Sequence, residues 1–154
     1  MDEIDVINQI QRLVHQKHLD EHHNLDHYIH AQLKSAGIKS LPELSILECH
    51  VLACIGDAHI SNAITISKKM GVTRGGISKI TTRLIAKGLI ISNQIEGNKR
   101  EIFYQLTPLG TKIYEIHDRL HKEINDKFIN LLSKYSKDDQ KVISQFLNDL
   151  LNSI

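Results

Sequence analysis

The turn Gly71-Val72-Thr73 constrains the fold of this 154-residue chain more than any other feature of its sequence. The pattern before the turn predicts a helix over residues 61–70, which Ser61 caps and the glycine of the turn ends. The threonine of the turn caps a second helix, over residues 73–87, which ends at Gly88. Two short helices on either side of such a turn have the spacing of a helix-turn-helix.

The sequence after Gly88 changes from helical to strand periodicity. Two β-rich runs, residues 89–95 and 101–106, are joined by a connection that contains Gly97-Asn98, which is typical of a hairpin. Thr107-Pro108 then predicts a helix start, because proline lacks the N–H that a first helical turn leaves unbonded. The helix-turn-helix is therefore predicted to carry a β-hairpin wing.

Longer helical segments lie on both sides of this region. Helices are predicted over residues 4–35, 42–56, 108–132 and 136–151. The predicted fold class is mainly α with a small β-hairpin wing. In the helix predicted over residues 42–56, the apolar residues expected to face a core are Leu44, Leu47, Val51, Leu52 and Ile55.

The length favours a single domain over residues 1–154, since a domain typically has about 150 residues. Within it, residues 42–106 are expected to form a winged helix-turn-helix lobe. Residues 1–35 and 108–154 carry apolar stripes that little else in the chain can cover, so they are predicted to be dimerisation helices of a two-fold homodimer.

Charge is unevenly distributed, although the formal net charge is only +1. Residues 1–30 contain six acidic and two basic residues, a net of −4. Residues 61–100 contain eight basic residues and one acidic residue, a net of +7. Such a basic segment is the electrostatic signature of a polyanionic partner, and the alternative is a solvated charged face.

Two adjacent glycines lie near the start of the second helix of the motif. Gly75 and Gly76 each cost a helix about 1 kcal/mol relative to alanine. Close approach of the helix to a sugar-phosphate backbone would favour them, and the alternative is that they only weaken an exposed turn. Base-edge and phosphate contacts are expected from Arg74, Ser78, Lys79, Thr82 and Arg83.

The residues 71–79, the wing residues Asn98-Lys99-Arg100 and the run Leu106-Thr107-Pro108-Leu109-Gly110 resemble the MarR family of bacterial transcriptional regulators. The resemblance implies a winged-helix homodimer that binds pseudo-palindromic double-stranded DNA operators. It implies that the second helix of the motif, with Thr73, enters the major groove and that the wing reaches the minor groove, with Arg100 as the minor-groove candidate. The family has an acidic residue where this chain has Asn98.

Histidine is unusually abundant, with ten residues, six of them between His15 and His30. His117 and His121 are four residues apart on a predicted helix. Their β-carbons therefore lie about 6 Å apart on one face, close enough to share a tetrahedral ion. The alternative is a polar helical surface or a set of buried histidines that respond to pH.

The runs 102–107 and 115–121 resemble the zinc-responsive branch of the family, which represses zinc-uptake genes in streptococci and lactococci. This resemblance implies a zinc site formed by His23, His50, His117 and His121, with His22, His27, His30 or Cys49 as possible substitutes. Imidazole also accepts other divalent metals. The second metal site of the branch is expected to be absent or rebuilt, because Cys49 and Ile116 replace its two glutamates.

The expected function is that of a repressor that uses zinc as co-repressor to control metal-uptake genes. One alternative is a MarR-type regulator that is released by an aromatic acid or by oxidation of Cys49. A metal-dependent hydrolase is disfavoured, because the sequence has no HExxH motif and an enzyme would leave the basic helix-turn-helix unexplained. The acidic start, residues 1–5, and the lack of a long apolar run predict a cytoplasmic protein with no membrane contact.

Overall fold

The computed structural model describes residues 22–38, 40, 42–95 and 97–153, without the side chains of residues 22–28, 95 and 98–100. The expected fold class, mainly α with a β-hairpin wing, is confirmed. The elements are α1 (His22–Ser35), α2 (Ile46–Ala58), β1 (Ser61–Asn62), α3 (Ala63–Met70), α4 (Arg74–Ala86), β2 (Ile90–Ile95), β3 (Asn98–Leu106), α5 (Pro108–Leu132) and α6 (Lys137–Ser153). Residues 4–21 of the predicted first helix lie outside the described residues.

The chain divides into two compact units. The first, His23–Asp118, contains the helix-turn-helix, the sheet and the start of α5. The second comprises Met1–His22 and Arg119–Ile154, of which the structure describes His22 and residues 119–153. Within this second unit, Gln140 of α6 is buried and donates from its side-chain amide to the carbonyl of Leu132 at 2.9 Å.

The core of the first unit lies where α2, α3 and α4 meet the sheet and α5. Helices α2, α4 and α5 bury apolar residues spaced three or four positions apart, as amphipathic helices do, and α3 buries Ile66. The fully buried side chains include Val51, Leu52 and Ile55 of α2, Ile66 of α3, Ile77 and Leu84 of α4, and Ile113 of α5. This packing fixes α4 against α2, so the outer face of α4 is presented to solvent.

Helix α2 begins at Ile46 and ends at Ala58, so the predicted bounds of 42–56 are wrong. Ser45 is the cap: its hydroxyl accepts from the N–H of Glu48 at 3.1 Å, and the Glu48 carboxylate accepts from the N–H of Ser45 at 2.9 Å. This reciprocal capping box outweighs Pro42, which also favours a helix start because proline lacks an N–H. Leu47 is 40% exposed, contrary to the prediction that it faces the core.

The predicted cap of the next helix is also wrong by one residue. Asn62 caps α3, because its side chain accepts from the N–H of Thr65 at 2.8 Å. Ser61 instead belongs to β1, a strand that the sequence analysis missed, where it pairs with Tyr104 of β3. The predicted cap of α4 is confirmed, since the Thr73 hydroxyl accepts from the N–H of Gly76 at 3.1 Å.

The wing consists of the hairpin of β2 and β3, and β1 pairs with β3 to complete an antiparallel sheet in the order β1-β3-β2. The register of β2 and β3 runs from Ile90 opposite Leu106 to Ile95 opposite Asn98, with an irregularity between Gln94 and Ile95. Strand β3 starts three residues earlier than predicted, so only residues 96–97 connect the two strands. The bounds predicted for α5 are confirmed, and α6 extends two residues beyond its predicted end.

The sheet joins α5 through a close approach at Gly110. A β-carbon at this position would overlap the carbonyl oxygen of Leu89. The same carbonyl accepts from the N–H of Thr107 at 3.0 Å, so it cannot move away without loss of that bond.

Replacement of Gly110 by alanine is therefore expected to lower the free energy of unfolding by about 1–3 kcal/mol, the usual cost of overpacking. Urea unfolding followed by circular dichroism measures the change. Gly75→Ala is the matched control, because a β-carbon there would meet nothing within 4 Å. Equal stability of the Gly110→Ala variant and the wild type would contradict the tight packing of this junction.

Candidate metal centre and nucleic-acid interface

Three histidines on two helices lie together. His50 lies on α2, and His117 and His121 lie one turn apart on α5. Each offers one nitrogen, and these nitrogens all lie within 4.8 Å of one another. The rings of His50 and His117 meet edge to face, with centroids 5.8 Å apart. His117 is buried, and the other two are half-buried, so the cluster is partly shielded from water.

The geometry of the cluster fits a tetrahedral metal ion. Two imidazole nitrogens bound to one zinc at about 2.0–2.1 Å lie about 3.4 Å apart. Movements of about 1 Å in the imidazole nitrogens, through side-chain rotation, would therefore allow all three to bind one ion. Three neutral imidazoles are also a donor set that zinc accepts. The residues present thus fit the metal that the sequence analysis expected.

The fourth ligand of the expected set falls in the N-terminal helix. His22, His23 and His27 belong to α1, but their side chains lie outside the described residues. His30 of α1 is half-buried and is not part of the group of possible ligands that the described residues form.

Cys49 is buried and is likewise absent from this group of described residues. Successive residues on a helix point about 100° apart, so Cys49 and His50 do not share a face of α2. The structure therefore brings together three of the four expected ligands and leaves Cys49 outside the described cluster.

The exposed face of α4 carries most of the residues expected to contact DNA. The helix buries Ile77, Ile80, Thr81 and Leu84 against the core. The opposite face is exposed and presents Arg74, Gly75, Ser78, Lys79, Thr82 and Arg83, with Thr73 exposed at the cap. Lys68 and Lys69 add two exposed charges in the last turn of α3. This surface is basic and polar, as a surface that contacts phosphates must be.

The two glycines of α4 differ in their surroundings. A β-carbon on Gly76 would lie 2.8 Å from Val72 Cγ1 and 3.2 Å from Thr73 Oγ1, so packing against the turn explains this glycine. A β-carbon on Gly75 would meet nothing within 4 Å. The helical penalty of Gly75 therefore has no compensation from the neighbouring side chains, which favours a reason outside the chain.

The wing residues Asn98, Lys99 and Arg100 lie at the start of β3. Their side chains lie outside the described residues. The backbone register places Asn98 opposite Ile95, beside the connection between the two strands.

Glu48 is a buried charged residue that the sequence analysis missed. Its carboxylate accepts from Arg83 Nε at 3.0 Å and from Lys87 Nζ at 2.7 Å. Burial alone raises the pKa of Glu48, but hydrogen bonds from Lys87, Ser45 and Arg83 outweigh it, so the pKa lies below its usual value. The capping-box spacing Ser45-x-x-Glu48 was the available sequence signal, although it does not reveal the two cations.

Two features bear on the alternative signals, an aromatic acid or thiol oxidation. Cys49 and Cys54 are buried and form no disulfide in the described part of the chain, and burial raises the pKa of the Cys54 thiol, which disfavours its reactive thiolate. A cavity of about 460 Å³ lies between the end of α2, the end of β3 and the start of α5. It is lined by Gly56, His59, Gln105, Leu106, Thr111, Tyr114 and Glu115, so it offers hydrogen-bonding groups and a carboxylate, but no lysine or arginine that could pair with an aromatic acid.

No helix in the described part of the chain is long and apolar enough to cross a membrane.

Comparison with known proteins gives one consistent family. Residues 44–102 match the model of the MarR family. The chain is 32% identical over 123 residues to the HTH-type transcriptional regulator PchR of Bacillus subtilis. The matched region covers 79% of this chain and 73% of PchR. It is 30% identical over 112 residues to YhjH of the same species, an uncharacterised HTH-type transcriptional regulator, of which the match spans 64%. These relatives are transcriptional regulators and not enzymes.

Solved structures share the fold. A crystal structure of Lactococcus lactis ZitR, described as a zinc-responsive MarR family member, has a TM-score of 0.67 at 20% identity, over 95% of this chain and 96% of that chain. ZitR in complex with DNA has a TM-score of 0.65 at 23% identity, over 75% of this chain and 78% of that chain. The architecture is therefore that of a winged-helix protein of this type.

Replacement of His117 or His121 by alanine is expected to lower zinc affinity by at least about 100-fold, because even residues that only orient a metal ligand are worth about 10- to 100-fold. Calorimetric titration of untagged protein with zinc measures the affinity and the number of tight sites. His59→Asn is the control, because His59 is exposed and lies outside the cluster, and asparagine tolerates its positive φ of 60°. Unchanged tight binding in both alanine variants would contradict the site.

Proposed function

The chain belongs to the MarR family of transcriptional regulators, and we propose that it is a repressor that binds a pseudo-palindromic DNA operator as a homodimer. Zinc is the co-repressor in this proposal, and the controlled genes are those of metal uptake. The observation that carries the zinc response is the cluster of His50, His117 and His121, whose nitrogens lie within 4.8 Å of one another. ZitR, which has the same fold, is described as zinc-responsive and as bound to DNA.

DNA recognition is assigned to α4 and the wing. The exposed face of α4 would enter the major groove, where Arg74, Ser78 and Lys79 reach base edges and phosphates. Gly75 would allow the start of the helix to approach the sugar-phosphate backbone. The wing residues Asn98, Lys99 and Arg100 would reach the adjacent minor groove. Thr82 is an acceptor in this arrangement, since its hydroxyl donates to the carbonyl of Ser78 at 2.8 Å.

The histidines connect metal binding to the position of α4. His50 lies on α2, which packs directly against α4, and His117 and His121 lie on α5, which follows the wing. With zinc bound, these side chains would hold α2 and α5 in one arrangement. A ligand shifts an equilibrium only through different affinities for the two states, so metal promotes repression if the cluster closes only in the DNA-competent state.

Helix α6 provides a surface for dimerisation. Val142, Phe146 and Leu150 are four residues apart, so they form one stripe, and Val142 and Phe146 are 69% and 64% exposed. Apolar residues exposed at helical spacing usually pack against a partner. A second copy of the chain is the occupant that two operator half-sites about 34–36 Å apart require.

The test of the zinc response is a DNA-binding measurement on untagged protein. Duplexes are selected from a randomised pool by wild-type protein, once with zinc and once with chelator, so that either direction of regulation yields a sequence. Fluorescence anisotropy then measures affinity for the selected duplex with and without zinc. Zinc is expected to raise the affinity by about 5- to 150-fold, the usual range of coupling between two sites.

The His117→Ala, His121→Ala double variant is the control, and its affinity is expected to equal that of the chelated wild type at all zinc concentrations. Failure of the wild type to select any sequence would refute operator binding. Selection of a sequence whose affinity zinc does not change would refute the co-repressor role alone. Release of the duplex by benzoate, or by peroxide in a manner that requires Cys49, would support the alternative signals instead.

Gly75→Ala is expected to separate stability from DNA binding. Alanine should raise the free energy of unfolding by up to about 1 kcal/mol, because it favours the helix and meets nothing within 4 Å. The added methyl group should nevertheless lower affinity for the selected duplex, since it occupies the space where the DNA backbone approaches. Urea unfolding and fluorescence anisotropy on the same preparation measure both effects. A variant that is more stable and binds as well as the wild type would show that no DNA backbone approaches Gly75.

A further inference from the structure

Glu48 is a carboxylate with an unusually complete set of partners. It is 3% exposed, and burial of an unpaired carboxylate is strongly unfavourable. One oxygen, Oε1, accepts from Arg83 Nε at 3.0 Å. The other, Oε2, accepts from Lys87 Nζ at 2.7 Å and from the N–H of Ser45 at 2.9 Å. The residue thereby ties the start of α2 to the end of α4 and to the residue that follows it.

The two cations that contact Glu48 differ in how many hydrogen-bond donors they keep for a further partner. Lys87 is 24% exposed, and its ammonium also donates to the carbonyl of Glu43 at 2.6 Å. Its hydrogen-bonding capacity is therefore largely used within the protein. Arg83 is 55% exposed and contacts Glu48 through Nε. A guanidinium has five N–H donors in a rigid fork, so the four donors on the two terminal nitrogens are not used by this contact.

The position of Arg83 leaves these terminal donors accessible to a partner outside the protein. Arg83 follows Thr82 and lies one turn after Lys79, on the exposed face of α4. Because the guanidinium is planar, a contact at Nε orients the plane and leaves the edge formed by the two terminal nitrogens facing away from Glu48. A long side chain that is already ordered loses less conformational entropy when it binds a partner. Planar, bidentate donors of this kind match the oxygens of a phosphate.

We propose that Glu48 is a positioning residue for DNA binding, whose buried carboxylate orients the guanidinium of Arg83 towards a phosphate of the duplex. The inference rests on the proposed function, because it names one contact of the interface assigned to α4. Glu48 itself touches no DNA. Its role differs from that of Lys87, which neutralises the same carboxylate but uses two of its three donors within the protein.

The experiment is a double-mutant cycle with Glu48→Gln, Arg83→Ala and the combined variant. Affinity for the selected duplex is measured at saturating zinc over a range of salt concentrations. Arg83→Ala should weaken binding by about tenfold, the value of a hydrogen bond to a charged group. It should also reduce the slope of log affinity against log salt by about 1, as expected when one phosphate contact is lost.

Glu48→Gln should weaken binding in the wild-type background and have no further effect in the Arg83→Ala background, because it acts through Arg83. Glu48→Asp is a second variant, which keeps the charge but shortens the side chain by one methylene and should give the same loss. Lys87→Gln is the matched control. It removes the other partner of the carboxylate and should lower the urea midpoint while the salt slope stays at the wild-type value.

Two results would overturn the proposal while operator binding stands. They are additive losses from Glu48→Gln and Arg83→Ala, which would make Glu48 purely structural, and an unchanged salt slope in Arg83→Ala. If the wild type binds no duplex, the proposed function fails, and the positioning role fails with it. Zinc titration of each variant accompanies the cycle, and unchanged zinc affinity in Arg83→Ala is expected, since Arg83 lies outside the histidine cluster.

Discussion

The burial of α2 is the constraint on which both candidate sites depend. Eight residues of α2 are buried, among them Val51, Leu52 and Ile55, so neighbouring elements fix the helix on most of its circumference. The same helix carries His50 on a half-buried side and Glu48 at its start. Close-packed protein interiors are hardly compressible, so a packed helix moves as a rigid body. A displacement of His50 therefore displaces the whole helix. The histidine cluster and the proposed DNA-binding face of α4 therefore both depend on one rigid helix.

The local chemistry of the chain predicted most of the fold. The turn at Gly71, the cap at Thr73 and the start at Thr107-Pro108 are decided by neighbouring residues, and the structure has helices that end and begin there. Strand β1 could not be predicted, because two residues carry no periodicity and the strand exists only through pairing with Tyr104 and Phe103 of β3. The start of α2 was misplaced because two start signals competed and the sequence does not show which of them is satisfied.

The candidate sites were predictable in the same graded way. The spacing of His117 and His121 places them on one helical face, but His50 joined them only through a family resemblance, since helix packing is not local. The two cations that contact Glu48 lie 35 and 39 residues away along the chain, beyond the reach of any local spacing rule. The sequence also treats Gly75 and Gly76 alike, whereas the structure gives Gly76 neighbours and leaves Gly75 open. The distinction requires coordinates because it concerns empty space.

Charge counted along the sequence overstates the charge that a duplex meets. Residues 61–100 have a net charge of +7, yet Lys87 lies within this segment and is neutralised by a buried carboxylate from α2. Arg83 shares the same carboxylate but keeps more than half of its side chain exposed. Counterion release depends on cations that face the phosphates, and not on cations that pair within the protein. The segment charge therefore overstates the number of cations that face outwards, because Glu48 pairs with two cations at the end of α4 and leaves only Arg83 largely exposed.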